Sequence, residues 1–324
     1  MPSRPTIEQK LSRIRQLAES ADAPTALAEL RKALGGAKSI LVEKAAEVAG
    51  RLEAESLTDA LEAAFDRFTR DPVRTDKGCR AKTAIVEALY KIGAAGEDVF
   101  ARGIHWVQME PSFGPPVDTA ARLRGLCGMA LVRMRHPDAM NELARLLADA
   151  EPDARIMAAR AIAYSGDPSG EPLLRYKVLR GDSHGQVQTE CFLALLKLAP
   201  EASLDFVAGF LDGDNRELAE AAIAALGESH DPRALAPLTG AYEGTLDAAA
   251  RGAILLAVAE LRCEQGIEFL IERLADSTGK TAQAVLAALA SYRFDPAIRQ
   301  KVAAVVDQLR DRELAQAFNA SFNT

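Results

Sequence analysis

Apolar residues recur along this chain at steps of three and four. Leu57, Leu61, Phe65 and Phe68 follow steps of four, four and three. Phe100, Ile104 and Val107 follow steps of four and three, and Met140, Leu143 and Leu147 repeat the pattern. A period near 3.6 puts such residues on one face, so the spacing predicts an amphipathic helix over each stretch. Between these stretches lie alanine-rich segments such as Ala221-Ala222-Ile223-Ala224-Ala225-Leu226. They are predicted helical too, with side chains small enough for neighbouring helices to approach closely. The breakers Gly166-Asp167-Pro168, Ala199-Pro200 and Asp231-Pro232 are predicted to end the alanine-rich helix of each pair.

The pattern repeats. Segments beginning at Pro152, Ser183, Asn215 and Ala248 align on one another, each with an alanine-rich helix, a short turn and a second helix. A unit of about 30 residues falls in the range of helical solenoids, in which each unit packs mainly on its neighbours. Asn215 to Tyr242, with Leu226-Gly227, Asp231-Pro232 and a leucine-rich second helix, resembles a HEAT repeat. The likeness is closest to the short HEAT-like type named after phycobilin lyases. It covers residues 37–310 as about eight units. The implied fold is all-α: an α-solenoid, wound as a right-handed superhelix, in one continuous domain. Residues 1–36, with a helix at 22–34, are expected to cap one end, and residues 311–324 to cap the other or fray.

Composition fits that reading. Apolar residues make up 48% and aromatics only 5%, which suits alanine-rich helix packing and disfavours a β-rich fold. The first residues lack the apolar core of a signal peptide, and the most apolar run, Gly252 to Leu261, contains Glu260 and is too short for a membrane span. Cys79, Cys127, Cys191 and Cys263 lie far apart, so neither a disulfide framework nor a metal knuckle is expected, and the chain reads as cytoplasmic. The net charge of −7 is uneven: residues 67–180 carry 18 basic and 14 acidic side chains, residues 181–324 carry 12 and 21. A mildly basic middle is too sparse by itself for strong binding to phosphate backbones.

Candidate chemistry concentrates at two connectors. Residues 71–82 bring together Arg74, Lys77, Arg80 and Lys82 beside a helix start that Thr75 or Asp76 is placed to cap, a possible anion site. Cys79 lies among these cations, a setting that lowers a thiol pKa, although no base is near it in sequence. Residues 105–125 hold the only tryptophan, Trp106, then Phe113, Pro115-Pro116, Asp118, Arg122 and Arg124. Here a helix is expected to end near Met109, the prolines forbid helix across 111–116, and Asp118 is the expected N-cap of the next helix. Aromatic, arginine and carboxylate side chains together are recognition chemistry, and the plainer alternative is packing over a long joint. If both connectors lie on one rim, they form a basic and aromatic patch. Arg67, Arg70, Arg102, Arg145, Arg175 and Lys177 fall in successive second helices, as a basic strip or as a ladder of Arg–Asp pairs.

Other motifs point to turns. Arg180-Gly181-Asp182-Ser183 and the overlapping Gly181-Asp182-Ser183-His184 look like an integrin tetrapeptide and a hydrolase motif, but both sit where one repeat hands over to the next. No nucleophile–base pair, metal set or phosphate loop emerges, so no catalytic residue and no cofactor are expected. The expected function is a non-enzymatic scaffold binding another protein along its concave face or basic rim, with no membrane contact. The alternatives are a HEAT-like protein gripping duplex nucleic-acid backbone, and, on family resemblance, a tetrapyrrole lyase or chaperone.

Overall fold

The helical stripes read from the sequence become helices wherever glycine, proline and the capping side chains let them. The computed structural model describes residues 6–19, 24–93 and 96–322, which form two compact units, residues 1–169 and 170–324. Residues 22 and 23 of the expected 22–34 helix, and 323–324 of the tail, lie outside the described residues.

The first unit opens with α1 (Ile7–Leu17), α2 (Pro24–Leu34), α3 (Ser39–Arg51), α4 (Thr58–Thr69) and the single turn α5 (Pro72–Thr75). Then come α6 (Arg80–Ile92), α7 (Glu97–Gly103), the strands β1 (Met109–Glu110) and β2 (Val117–Asp118), α8 (Ala121–Arg133), α9 (Ala139–Leu146) and α10 (Pro152–Ser165). The first helices of successive pairs stack: α1 on α3, α3 on α6, α6 on α8 and α8 on α10. At this end α1 and α2 form a helix pair that packs on α3 and α4. Thr6 starts it with a capping box, its side chain accepting from the Gln9 amide while the Gln9 side chain accepts from the Thr6 amide. The α4 stripe buries Leu61, Phe65 and Phe68 as its spacing predicts.

The second unit contains α11 (Gly170–Arg180), α12 (Gly185–Leu198), α13 (Pro200–Ala208), α14 (Arg216–Glu228) and α15 (Leu235–Gly244). It continues with α16 (Ala248–Glu260), α17 (Glu264–Ala275), α18 (Gly279–Leu289), α19 (Pro296–Leu309) and α20 (Arg312–Phe322). Here α12, α14, α16, α18 and α20 stack in order. The tail is thus an ordered terminal helix that buries Leu314 and Phe322. Asn215, Asp247 and Asp295 cap α14, α16 and α19 by accepting from first-turn amides. Gly166 ends α10 in the left-handed conformation, and Pro200 opens α13. No helix among the described residues is long and apolar enough to cross a membrane.

Close stacking rests on small residues at the crossings. A Cβ added at Gly227 of α14 would lie 2.7 Å from the Ala257 Cα of α16, and one at Gly50 of α3 would lie 2.7 Å from the Ala88 Cα of α6. Both obstacles are backbone and have no rotamer into which to retreat. Gly252 in α16 faces open space. Gly227→Val is therefore expected to destabilise the second unit by overpacking, by about 1–3 kcal/mol. Gly252→Ala should be stabilising by about 1 kcal/mol, through helix propensity alone. Thermal unfolding followed by far-UV circular dichroism checks the pair, and the two melting temperatures should move in opposite directions.

Candidate functional site

The two connectors singled out in the sequence meet in the first unit. The Gly78 amide donates to Glu110 Oε1 at 2.6 Å, and Gln108 Nε2 donates to the Asp76 carbonyl at 2.8 Å. The joint after α7 is not a plain connector. The helix stops at Gly103, six residues before the expected end, and the chain folds into an antiparallel β-hairpin with Met109 opposite Asp118 and Glu110 opposite Val117. Val107, expected on the helical stripe, consequently lies beyond the helix and is exposed.

Two-residue strands have little stability of their own. Buried polar side chains at the hairpin base supply the rest. Glu110 Oε1 also accepts from Gln108 Nε2 at 2.6 Å and from Thr119 Oγ1 at 3.0 Å. Asp118 accepts from the amides of Gln108 and Ala120, so it closes the hairpin and the turn before α8 without capping the helix as expected. Arg124 is the hub. Its Nη1 donates to Asp118 at 2.6 Å and to the Trp106 carbonyl at 2.8 Å, while Nε and Nη2 form a fork on Asp149 at 2.8 and 2.7 Å. Asp149 in turn accepts from the Glu151 amide just before α10. One guanidinium thus ties the hairpin to the next repeat.

A second buried pair holds the neighbouring turn. Lys82 Nζ lies 2.8 Å from Asp76 Oδ2, with both side chains at 0% exposure. Asp76 also accepts from the amides of Ala81 and Lys82, so it satisfies the first turn of α6 across the intervening residues. Gly78 and Cys79 between them both have positive φ, 75° and 54°. Glycine takes that conformation freely; for Cys79 it costs about 1–3 kcal/mol and persists because its surroundings hold it. Lys82 Nζ sits 5.7 Å from the centroid of the Trp106 ring, so the half-buried tryptophan packs against this pair.

The electrostatics follow from these contacts. Burial pushes the Glu110 carboxyl up, but donors from Gln108, Gly78 and Thr119 and the charge of Lys77 outweigh it and hold it below its ordinary value. At Asp118, burial is outweighed by the Gln108 and Ala120 amides and by Arg124, and the carboxyl is again held low. Burial lowers the Arg124 guanidinium, yet Asp149 and Asp118 raise it overall. Burial pushes the Cys79 thiol up to about 12 against the pull of Lys82, which corrects the expectation of an activated thiolate.

The candidate residues therefore separate. Lys82 and Arg124 are in the core with their charges spent on carboxylates, which corrects their assignment as partner contacts. Arg102 bridges Asp66 of α4 and Asp98 of its own helix, one rung of the Arg–Asp ladder, alongside Arg31 with Asp59. Arg145 pairs with Glu142, and Arg175 pairs with Glu171 while lying over the Phe206 ring. Lys177 pairs with Asp182, a largely buried contact at the Arg180–Ser183 turn. Arg80 reaches back to Glu43. On the solvent side remain Arg74, paired only with Asp71 of its own turn, Lys77, Arg122 and the fully exposed Phe113. Sequence reasoning missed Val107, Met109 and Val117, all at least half exposed. The alternation Val107-Gln108-Met109-Glu110 carries the signal of a strand, here with its polar side turned inward. Among the described residues, no three His, Cys, Asp or Glu side chains gather as a metal set.

Asp76→Asn removes one charge at constant shape and strands Lys82 in the core. Its expected cost is about 3–5 kcal/mol, read as a lowered urea midpoint; an unchanged midpoint would show that the pair carries no stability. Glu110 and Asp118 have folded pKa values below their unfolded ones, about 4.3 and 3.9. Their contribution is complete above those values and is lost as pH falls through the lower folded ones. Stability measured against pH should fall below about pH 4, and less steeply in Glu110→Gln.

Residues 143–222 and 206–290 match the family model for HEAT repeats. Among solved structures, human deoxyhypusine hydroxylase in complex with glycerol is similar over 80% of this chain and 91% of that one, at 17% identity and a TM-score of 0.31. An engineered protein is similar over 91% and 94%, at 14% identity and a TM-score of 0.18. At such scores neither bears on function. No curated protein matches the sequence. The repeat match spans residues 143–290, and the helix pairs stacked within each unit have the all-α, solenoid architecture of such repeats.

Proposed function

We propose that the protein is a non-enzymatic scaffold that recruits a protein partner through the hairpin Met109–Asp118 and the adjoining turn around Lys77. One observation carries this reading: Phe113 is fully exposed at the tip of a hairpin whose base is fixed by buried ion pairs. A large aromatic held in water gains nothing for the fold, whereas a partner that covers it gains the whole burial of the ring, about 1.5–3 kcal/mol. The tip is also ordered locally. Ser112 Oγ donates to the Pro115 carbonyl at 2.6 Å and accepts from the Gly114 amide at 3.1 Å, and the two following prolines stiffen the return. A loop already in its bound shape loses little entropy on docking. HEAT-repeat solenoids offer extended surfaces suited to such contacts. Four free thiols, three of them buried, support a reducing, cytoplasmic setting.

A photo-crosslinking residue placed at position 113 in the native cell tests the reading. A discrete adduct with one protein is expected from position 113 and not from an exposed control position in α19. Equal, diffuse labelling from both positions would show that the hairpin has no dedicated partner.

A further inference from the structure

Thirteen large apolar side chains are exposed among the described residues, and four of them, Val107, Met109, Phe113 and Val117, fall within one stretch of eleven residues. Scattered exposed apolar residues need no explanation, but a cluster does. The charge around this cluster is one-sided. Of the carboxylates of the two connectors, Asp76, Glu110 and Asp118 are turned inward and spent on Lys82, Gln108 and Arg124, while Asp71 stays outside, paired with Arg74. The cations of the same region stay outside. Arg70 and Lys77 are exposed and make no ion pair with any described residue. Arg122, in the first turn of α8, has only a long 3.4 Å contact to Glu87. Lys77 is the chain neighbour of Gly78, whose amide is bonded to Glu110 at the hairpin base, so its charge stands beside the apolar surface.

On this basis, and resting on the docking role proposed above, we infer that the partner presents an acidic segment carrying apolar anchor residues, whose anchors cover Phe113 and Met109 while its carboxylates meet Lys77, Arg122 and Arg70. Buried carboxylates leave the site with positive charge to complement, and complementary charge sets both encounter rate and choice of partner. The exposed set favours a peptide over other acidic surfaces. Val107, Met109 and Val117 are aliphatic or thioether side chains that neither stack on bases nor bind phosphates, and three cations fall short of the dense footprint that nucleic acid requires. One aromatic and three cations also fall short of the two strong signals that stable membrane attachment takes.

The test is a random peptide library displayed on phage and panned on the full chain. Enrichment of peptides with net negative charge and one or more large apolar residues is expected. Synthetic copies should bind wild type and lose about tenfold or more in affinity to Phe113→Ser and to Lys77→Glu/Arg122→Glu, with binding weakened by added salt. Both substitutions lie on exposed side chains, and circular dichroism confirms that the variants fold. Enrichment of neutral or basic peptides, no enrichment, or equal affinity for wild type and variants would overturn the inference. So would tighter binding of a fluorescein-labelled DNA duplex, or of anionic phosphatidylserine vesicles, than of any enriched peptide. A specific cross-link from position 113 without acidic enrichment would overturn the partner's chemistry while leaving the scaffold reading in place. Loss of both would remove both.

Discussion

Lys82 and Asp76 form a charge pair with no access to water, and the geometry of the whole connector region follows from that constraint. A charge buried in protein costs several kcal/mol unless another charge and a set of hydrogen bonds meet it. Asp76 meets the requirement by accepting from Lys82 and from two amides at the start of α6. That fixes the turn through Gly78 and Cys79 in a conformation the cysteine would otherwise avoid. The same turn offers the Gly78 amide to Glu110, and Glu110 anchors the hairpin. Arg124 then ties the hairpin to the loop before α10. Removing the first pair leaves the later contacts without a base.

The repeats were legible because their physics is local. Helical period and glycine or proline breakers act within a few residues. The spaced Leu61, Phe65 and Phe68 are buried on one face of α4, while Gly166 and Pro200 bound their helices as their positions announce. The hairpin was not legible for the opposite reason. Strands of two residues leave almost no period to read, and the alternation from Val107 to Glu110 is inverted, with Met109 outside and Glu110 inside. Nor does a sequence say which of several cations is buried. Lys82 and Lys77 are five residues apart on the same connector, yet one is in the core and the other in solvent. Lys82 is held by Asp76, six residues away, under a hairpin that is distant in sequence and that no spacing along the chain places there. The joint was recognisable as unusual; its shape was not.

Charge divides between the units as packing does not. Residues 1–169 carry 24 basic and 24 acidic side chains, whereas residues 170–324 carry 15 and 22, so the entire net negative charge belongs to the second unit. Both units use the same crossings of small residues, at Gly50 and at Gly227. The core packing is therefore indifferent to the charge difference, which belongs to the surfaces. In the first unit, balance between basic and acidic residues conceals an uneven placement, because Asp76, Glu110 and Asp118 are withdrawn while Arg70, Lys77 and Arg122 are not.

Burying carboxylates to shape a loop and leaving cations to face solvent are two outcomes of one arrangement. A hairpin inserted between repeats interrupts helices whose terminal amides then lack partners, and carboxylates are the side chains best able to satisfy several donors at once. Three carboxylates are drawn inward with only two cations, Lys82 and Arg124, so the outward surface shifts toward positive charge without any added lysine or arginine, although Asp71 stays outside beside Arg74. The apolar residues displaced by this inversion, Met109 and Val117 among them, have nowhere to go but out. Rigidity, positive charge and exposed apolar surface at this joint thus share a single origin in the buried network. A substitution that loosens the network alters all three together, whereas one at Phe113 changes the surface and leaves the scaffold beneath it intact.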